Sequence, residues 1–297
     1  KTAYEIVSRD WSSDVCSSDL TWRMMFPTAQ HPLLIHRKPR KASYVPAHPW
    51  HLEALYAAKL RNRIGKPLGR IAWQELKPVV ARYLAPSERM DAPAGVDDMI
   101  LAIGKARIRF GQTVDVDKQA EKAISEVAPQ VEAFTLGEQA KMLRTLGVDA
   151  VGQNLFLATQ RAEWTRANVN LIRTIPDDFF ARLSRDIISA VHEGQRHETL
   201  ARTIRQKCIG IEGQESLPAW RYNLIARDQV SKYNGALAHA QQSAVGIEKY
   251  EWRSVNDRRT RETHLALDHS IQSWDNPPAI GHPGEPIQCR CSAIAIL

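Results

Sequence analysis

The side chains able to do chemistry crowd into residues 248–297, EKYEWRSVNDRRTRETHLALDHSIQSWDNPPAIGHPGEPIQCRCSAIAIL. They are His264, His282, Cys289 and Cys291, with Arg258, Arg261, Arg290, Asp257 and Asp268 around them. Three chemistries are open to such a set. Cys289 and Cys291 as thiolates, with His264 and His282, supply four ligands of the kind zinc takes, although the stronger signature of two Cys-x-x-Cys knuckles is absent. Arg261, His264 and Asp268 supply an acid–base set for a phosphodiester, the histidine moving a proton while arginine offsets developing charge. No P-loop, G-x-G-x-x-G or G-x-S-x-G pattern accompanies it. Alternatively, Asp257, Arg258, Arg261, Asp268 and Arg290 form an ion-pair network that fixes the geometry of a small domain poor in apolar mass. This structural reading is preferred, with no catalytic residue and no cofactor; zinc and the acid–base set stand as alternatives.

The elements that must carry these residues follow from periodicity. Tyr250, Trp252 and Ser254 alternate with Lys249, Glu251, Arg253 and Val255, which predicts a strand with both aromatics on one face. Asp257 is placed to cap a helix running to about residue 267, on which Asp257, Arg261, His264 and Asp268 share one polar face. Asn276-Pro277-Pro278 and Gly281-His282-Pro283-Gly284 mark loops. Upstream, residues 219–244 predict the longest clear helix, with Tyr222, Ile225, Ala226, Tyr233, Leu237, Ala240 and Ala244 on its apolar face. Arg227, Asp228 and Asn234 leave that stripe, either solvated or paired with the terminal cluster.

The rest of the chain reads as helix after helix. Thr174 and Asp177 stand in capping-box register with Pro176 in the first turn, predicting a helix start. Phe179, Leu183, Ile187 and Val191 form its stripe, Phe180 and Ile188 widen it, and Gly194 stops it. A short helix follows over residues 198–207. Residues 51–64, stopping at Gly65, and residues 73–83, 117–134, 136–146 and 148–173 are helix-periodic, with punctuation at residues 92–95 and 135–137. Residues 106–111 are compatible with a short strand.

With 297 residues, 43% of them hydrophobic and 25% charged, the chain has enough apolar mass for one large or two modest soluble domains. No apolar run approaches the roughly 18 residues of a spanning helix, so no membrane partner is expected. The net charge of +7 is compatible with DNA or an acidic protein surface. Residues 37–41, RKPRK, are expected to form part of a basic, proline-rich arm. Four cysteines are too few for a disulfide scaffold. One of them, Cys16, lies in DVCSSDL, which back-translates readily to a short-read sequencing adapter. Residues 1–26 are therefore expected to be a sequencing artefact or a disordered leader.

The order Tyr-x-Trp, then Asn256-Asp257-x-Arg259-x-Arg261-x-x-His264, then His282-Pro283-Gly284, then Cys289-Arg290-Cys291 resembles the C-terminal domain of the phage Mu F-like head morphogenesis (minor head protein) family. Ile225-Ala226-Arg227-Asp228-Gln229 with Asn234 is similar to that family's Arg-acid-Gln helix. The resemblance is tight over residues 222–292 and looser from about residue 147. It implies a minor head protein of a tailed phage or prophage, with portal, capsid and scaffold proteins, and DNA, as partners. The virion, and the host cytoplasm during assembly, would be its location. The alternative is a nuclease or toxin-like domain. The expected fold is mostly α, a helical N-terminal and middle region followed by a small α+β C-terminal domain. Its expected divisions are a leader (1–26), an arm with one helix (27–70), a helical region (71–218) and the Mu F-like domain (219–297).

Overall fold

One long helix, buried along much of its length, gathers other helices around it. The computed structural model describes residues 40–84, 94–149, 156–210, 216 and 219–297; the expected leader with Cys16, and Arg37 and Lys38 of the expected arm, lie outside them. Helix α1 (Trp50–Leu60) runs through a π-turn (Arg61–Gly65) into α2 (Lys66–Tyr83). Then come α3 (Ala94–Thr113), α4 (Val116–Arg144), α5 (Leu157–His192), α6 (His197–Ile209) and α7 (Ala219–Ala244). The chain ends in β1 (Lys249–Arg253), a single turn α8 (Glu262–Leu265), β2 (Ile271–Ser273) and β3 (Ser292–Ile296). The fold is mostly α with a small α+β C-terminal part, as expected.

Helix α7 packs against α1, α4 and α5. Its Tyr222, Ile225, Ala226, Tyr233, Leu237 and Ala240 are all buried, as the stripe predicts. Trp164 of α5 stacks on Tyr233 with ring centroids 4.5 Å apart and planes 6° from parallel. The carboxylate of Glu132, buried between α4, α5 and α7, takes hydrogen bonds from the Tyr233 hydroxyl and from Arg161 Nε at 2.7 Å. Burial of that charge is tolerable because it is fully paired.

Several expected breaks are absent. The helix begun at residue 50 does not stop at Gly65; a Cβ there would lie 2.8 Å from the Tyr222 ring, so this glycine serves close packing rather than termination. Residues 106–111 are helical within α3. The punctuation at residues 135–137 is overridden, because Thr135 is buried in α4 and its Oγ1 donates to Asn234 Oδ1 at 2.8 Å. The capping box at Thr174 likewise fails to start a helix. Ile172, Ile175 and Phe179 are all buried, so one apolar face continues across Pro176, and Thr174 Oγ1 donates back to the Leu171 carbonyl at 2.8 Å. Continuous packing outweighs the roughly 3 kcal/mol that an interior proline costs. Gly194 ends α5 at φ +67° as expected, while Ile188 is 38% exposed and does not widen the stripe.

The sheet has the order β2-β1-β3, all antiparallel. Tyr250 and Trp252 are buried opposite Ala295 and Ala293, whose small side chains leave room for the two rings. Arg40 exchanges backbone hydrogen bonds with Leu297 at 2.9 Å, and the Ala42 N–H reaches the Ala295 carbonyl. Lys41 donates to Glu251 at 2.7 Å. The end of the expected basic arm is thus fixed by its backbone along β3, with the Arg40 and Lys41 side chains exposed.

Gly235 joins helix and loop. A Cβ there would stand 2.5 Å from the Pro283 carbonyl oxygen and 3.0 Å from the Gly284 Cα. Gly235→Ala should therefore lower the urea unfolding midpoint by an amount equivalent to about 1–3 kcal/mol, the usual penalty of overpacking, with the m-value unchanged. An alanine variant as stable as the parent would show that the loop does not rest on α7.

Candidate functional site

Strand β1 and the loop before β3 bring the chemistry-bearing residues together. Trp252, centred in the sheet, meets His264 edge-on, with ring centroids 5.7 Å apart. Arg261 precedes α8 in extended backbone, and the single turn then directs His264 inward, 5% exposed. From the other side Pro286 accepts from the Cys289 N–H, and the tail enters β3 at Ser292. Cys289 and Cys291 are thereby buried against Tyr250, Trp252 and Trp274. His264 Nδ1 lies 3.3 Å from Cys291 Sγ and 3.8 Å from Cys289 Sγ. Its Nε2 is 3.4 Å from Arg261 Nη1.

The two thiols share one charge. The Cys291 S–H, and after it the His264 ring and the Gly284 N–H, overcome burial and hold the Cys289 thiol well below its ordinary range. Cys291 is pushed up by that same neighbour and by burial. The buried Trp252 indole N–H, directed at Cys291, pulls it back toward thiolate. The group opens on a recess of about 90 Å³ lined by Trp50, Arg227, Arg259, Arg261, Gln288 and Arg290.

The other residues singled out in the sequence divide. Asp257 does not cap a long helix, and Asp257, Arg261, His264 and Asp268 do not share a helical face, because only Glu262–Leu265 is helical there. Asp257 instead closes a turn with the Arg259 N–H and Thr260, and takes a two-pronged ion pair from Arg290, with Nη2 at 2.6 Å from Oδ1. The Arg290 guanidinium holds its carboxyl well below the usual range. Arg261 Nη2 donates to the Ile287 carbonyl at 2.7 Å. Arg258 is exposed. Asp268 faces the Ser254 N–H and the Asn256 amide, each at 2.8 Å, so its carboxylate is committed to the backbone rather than to His264. His282 stands outside the Cys–His group: its Nδ1 is 2.8 Å from the Tyr250 hydroxyl, and its ring lies beside Trp274 and His239.

On α7, Asp228 accepts the Gln288 N–H at 2.8 Å and pairs with Lys232 at 3.2 Å, while Arg227 donates to the Gln288 side chain at 3.2 Å. Both thus hold the residue before Cys289. Asn234 points the other way, to Thr135. Gln288 and Glu53 carried no motif in the sequence, and Gln229 stood there only as the last residue of the Arg-acid-Gln pattern. Gln288 sits at φ +54°, a backbone region non-glycine residues seldom adopt. Only its partner across 60 residues makes sense of that.

Asp268 offers a pH test. Burial raises its pKa, but the Ser254 N–H and the Asn256 amide outweigh it, and the net shift is downward. A depressed folded pKa adds stability that is present above the unfolded value of about 3.9 and is lost as pH falls through the folded value. Asp268→Asn should cost about 1–3 kcal/mol at neutral pH, because one donor loses its acceptor. The gap between variant and parent should close as the pH drops below about 4. A gap that stays constant with pH would show that charge is not what Asp268 contributes.

Residues 181–294 match the family model described as Phage Mu protein F like protein. An uncharacterized protein of Haemophilus influenzae is 36% identical over 134 residues, which make up 45% of this chain and 28% of that protein. The match therefore spans little more than a quarter of that relative's length. No solved structure matches the chain. From the last third of α5, through α7 and the Cys–His group, to β3, the chain is thus similar to the Phage Mu protein F like family.

Proposed function

We propose that this protein is a minor head protein of a tailed phage or prophage, that it acts in head morphogenesis, and that it works docked at the portal, near packaged DNA. The family match over residues 181–294 carries this reading. The geometry supports it. Arg290 is spent on Asp257, Arg261 on the Ile287 carbonyl, Asp268 on Ser254 and Asn256, and Asp228 on Gln288. Charges engaged in holding backbone fix a shape, which an assembly component requires. Among the described residues no helix is long and apolar enough to cross a membrane.

The apolar stripe of α7 does not offer a docking face. Tyr233, Leu237 and Ala240 are 1%, 0% and 3% exposed, covered within the chain itself by the helices around α7. Charge is the better candidate: a net +7 favours an acidic protein surface or DNA, and such an association weakens as salt screens it. Co-expression of the full chain with the neighbouring portal gene, followed by sedimentation, should place the protein with the assembled portal at low salt, with less of it bound at high salt. A portal that assembles normally while this protein stays at the top of the gradient at every salt concentration would overturn the proposal.

A further inference from the structure

His264 of α8 and the Cys289–Cys291 segment are separated in the chain by β2 and a long loop, yet they converge at one buried point. Their ligand atoms all lie within 4.8 Å of one another. Spacing of this kind can be compared with what a metal requires. For zinc bonds of about 2.0 Å to nitrogen and about 2.3 Å to sulfur, a tetrahedron puts nitrogen and sulfur roughly 3.6 Å apart. The observed separations from His264 Nδ1 are 3.3 and 3.8 Å, on either side of that value.

We infer that His264 Nδ1, Cys289 Sγ and Cys291 Sγ form a binding site for one divalent, thiophilic metal ion of the zinc class, with its fourth position open to the arginine-lined recess. The set differs from the four-ligand group suggested by the sequence, because His282 is engaged with Tyr250 and is not part of it. Among the described residues no fourth histidine, cysteine or carboxylate joins the three. Three protein ligands with an open position are how zinc sites that bind an exchangeable ligand are built, whereas structural sites are closed by a fourth side chain.

Charge and surroundings agree with the assignment. Two thiolates and a neutral imidazole balance a 2+ ion, so the loaded site is neutral and suited to burial, and loading releases to solvent whatever protons remain on sulfur. The Trp252 indole N–H is buried beside the group and directed at Cys291, where it can support a sulfur ligand. With Nδ1 on the metal, the His264 proton sits on Nε2, facing Arg261. That arginine keeps its bond to the Ile287 carbonyl at 2.7 Å and gives up only the longer 3.4 Å approach.

The test does not depend on the head-assembly reading. The full chain, purified with a histidine-free tag and without chelators, is assayed for metal by mass spectrometry, then stripped and titrated with cobalt(II). About one equivalent of zinc per chain is expected, together with thiolate-to-cobalt charge-transfer absorption on reloading. Cys289→Ser and Cys291→Ser should each lose at least tenfold in metal affinity, while His282→Gln and Cys208→Ala should keep the parental stoichiometry. Circular dichroism reports whether each serine variant is folded, and the measurements on the parent protein stand without them. A parent that carries no metal and gives no cobalt charge-transfer band overturns the inference. So does a serine variant that binds as tightly as the parent, or His282→Gln losing the metal.

Discussion

The hydrogen bond from the Gln288 N–H to the Asp228 carboxylate ties the two halves of the described structure together. Asp228 belongs to α7, the helix at the centre of the helical body, and Gln288 immediately precedes the Cys-Arg-Cys segment. Gln288 sits there in a left-handed conformation that non-glycine residues seldom adopt, with its N–H on Asp228. Arg227 on the Gln288 side chain and Arg261 on the Ile287 carbonyl hold the same stretch of loop from either side. The angle at which Cys289 and Cys291 enter the sheet is therefore decided from the helical side.

Asp228 is the last member of a buried polar chain. The Tyr56 hydroxyl donates to Asn168 Oδ1, Asn168 Nδ2 to Gln229 Oε1, and Gln229 Nε2 to Asp228 Oδ2. Trp164 Nε1 adds a bond to the Gln229 carbonyl at 2.9 Å. Each of these groups would be costly to bury alone, and each is satisfied by the next. Apolar contacts tolerate sliding, whereas a hydrogen-bonded sequence of this kind accepts one register. Helices α1, α5 and α7 are thus aligned by the same chain of bonds that ends at the site loop.

The helical body was legible where one face carried the signal. The stripe of α7, the strand at Tyr250 and Trp252, and the stop at Gly194 all follow from local pattern. The failures share one cause. Thr174-Ile175-Pro176, residues 135–137 and Gly65 carry strong local punctuation, yet each lies where another helix packs, and tertiary contact overrides a local preference of a few kcal/mol at most. At the site, residue types pointed to the Cys–His group, but a one-dimensional reading could not tell His264 from His282. The two histidines differ in which neighbour they meet across the sheet, Cys291 for one and Tyr250 for the other. Gln288 had no signal at all, because its role lies in its backbone.

The way the arginines are used separates two kinds of cationic surface that composition merges into a single charge of +7. Arg290 and Arg261 lie at the mouth of the recess, but each is fastened, to Asp257 and to the Ile287 carbonyl. Fastened guanidinium groups keep a fixed position while presenting their remaining N–H groups, so an anion entering there would meet donors already in place and would cost little reorganisation. Arg258, exposed on the turn after β1, is a different case, since a side chain on the surface of a turn follows the local field rather than setting it. A partner or ligand that reads shape therefore meets the recess, and one that reads only charge meets the turn. Because Asp257 both closes that turn and holds Arg290, the two surfaces keep a constant relation to each other.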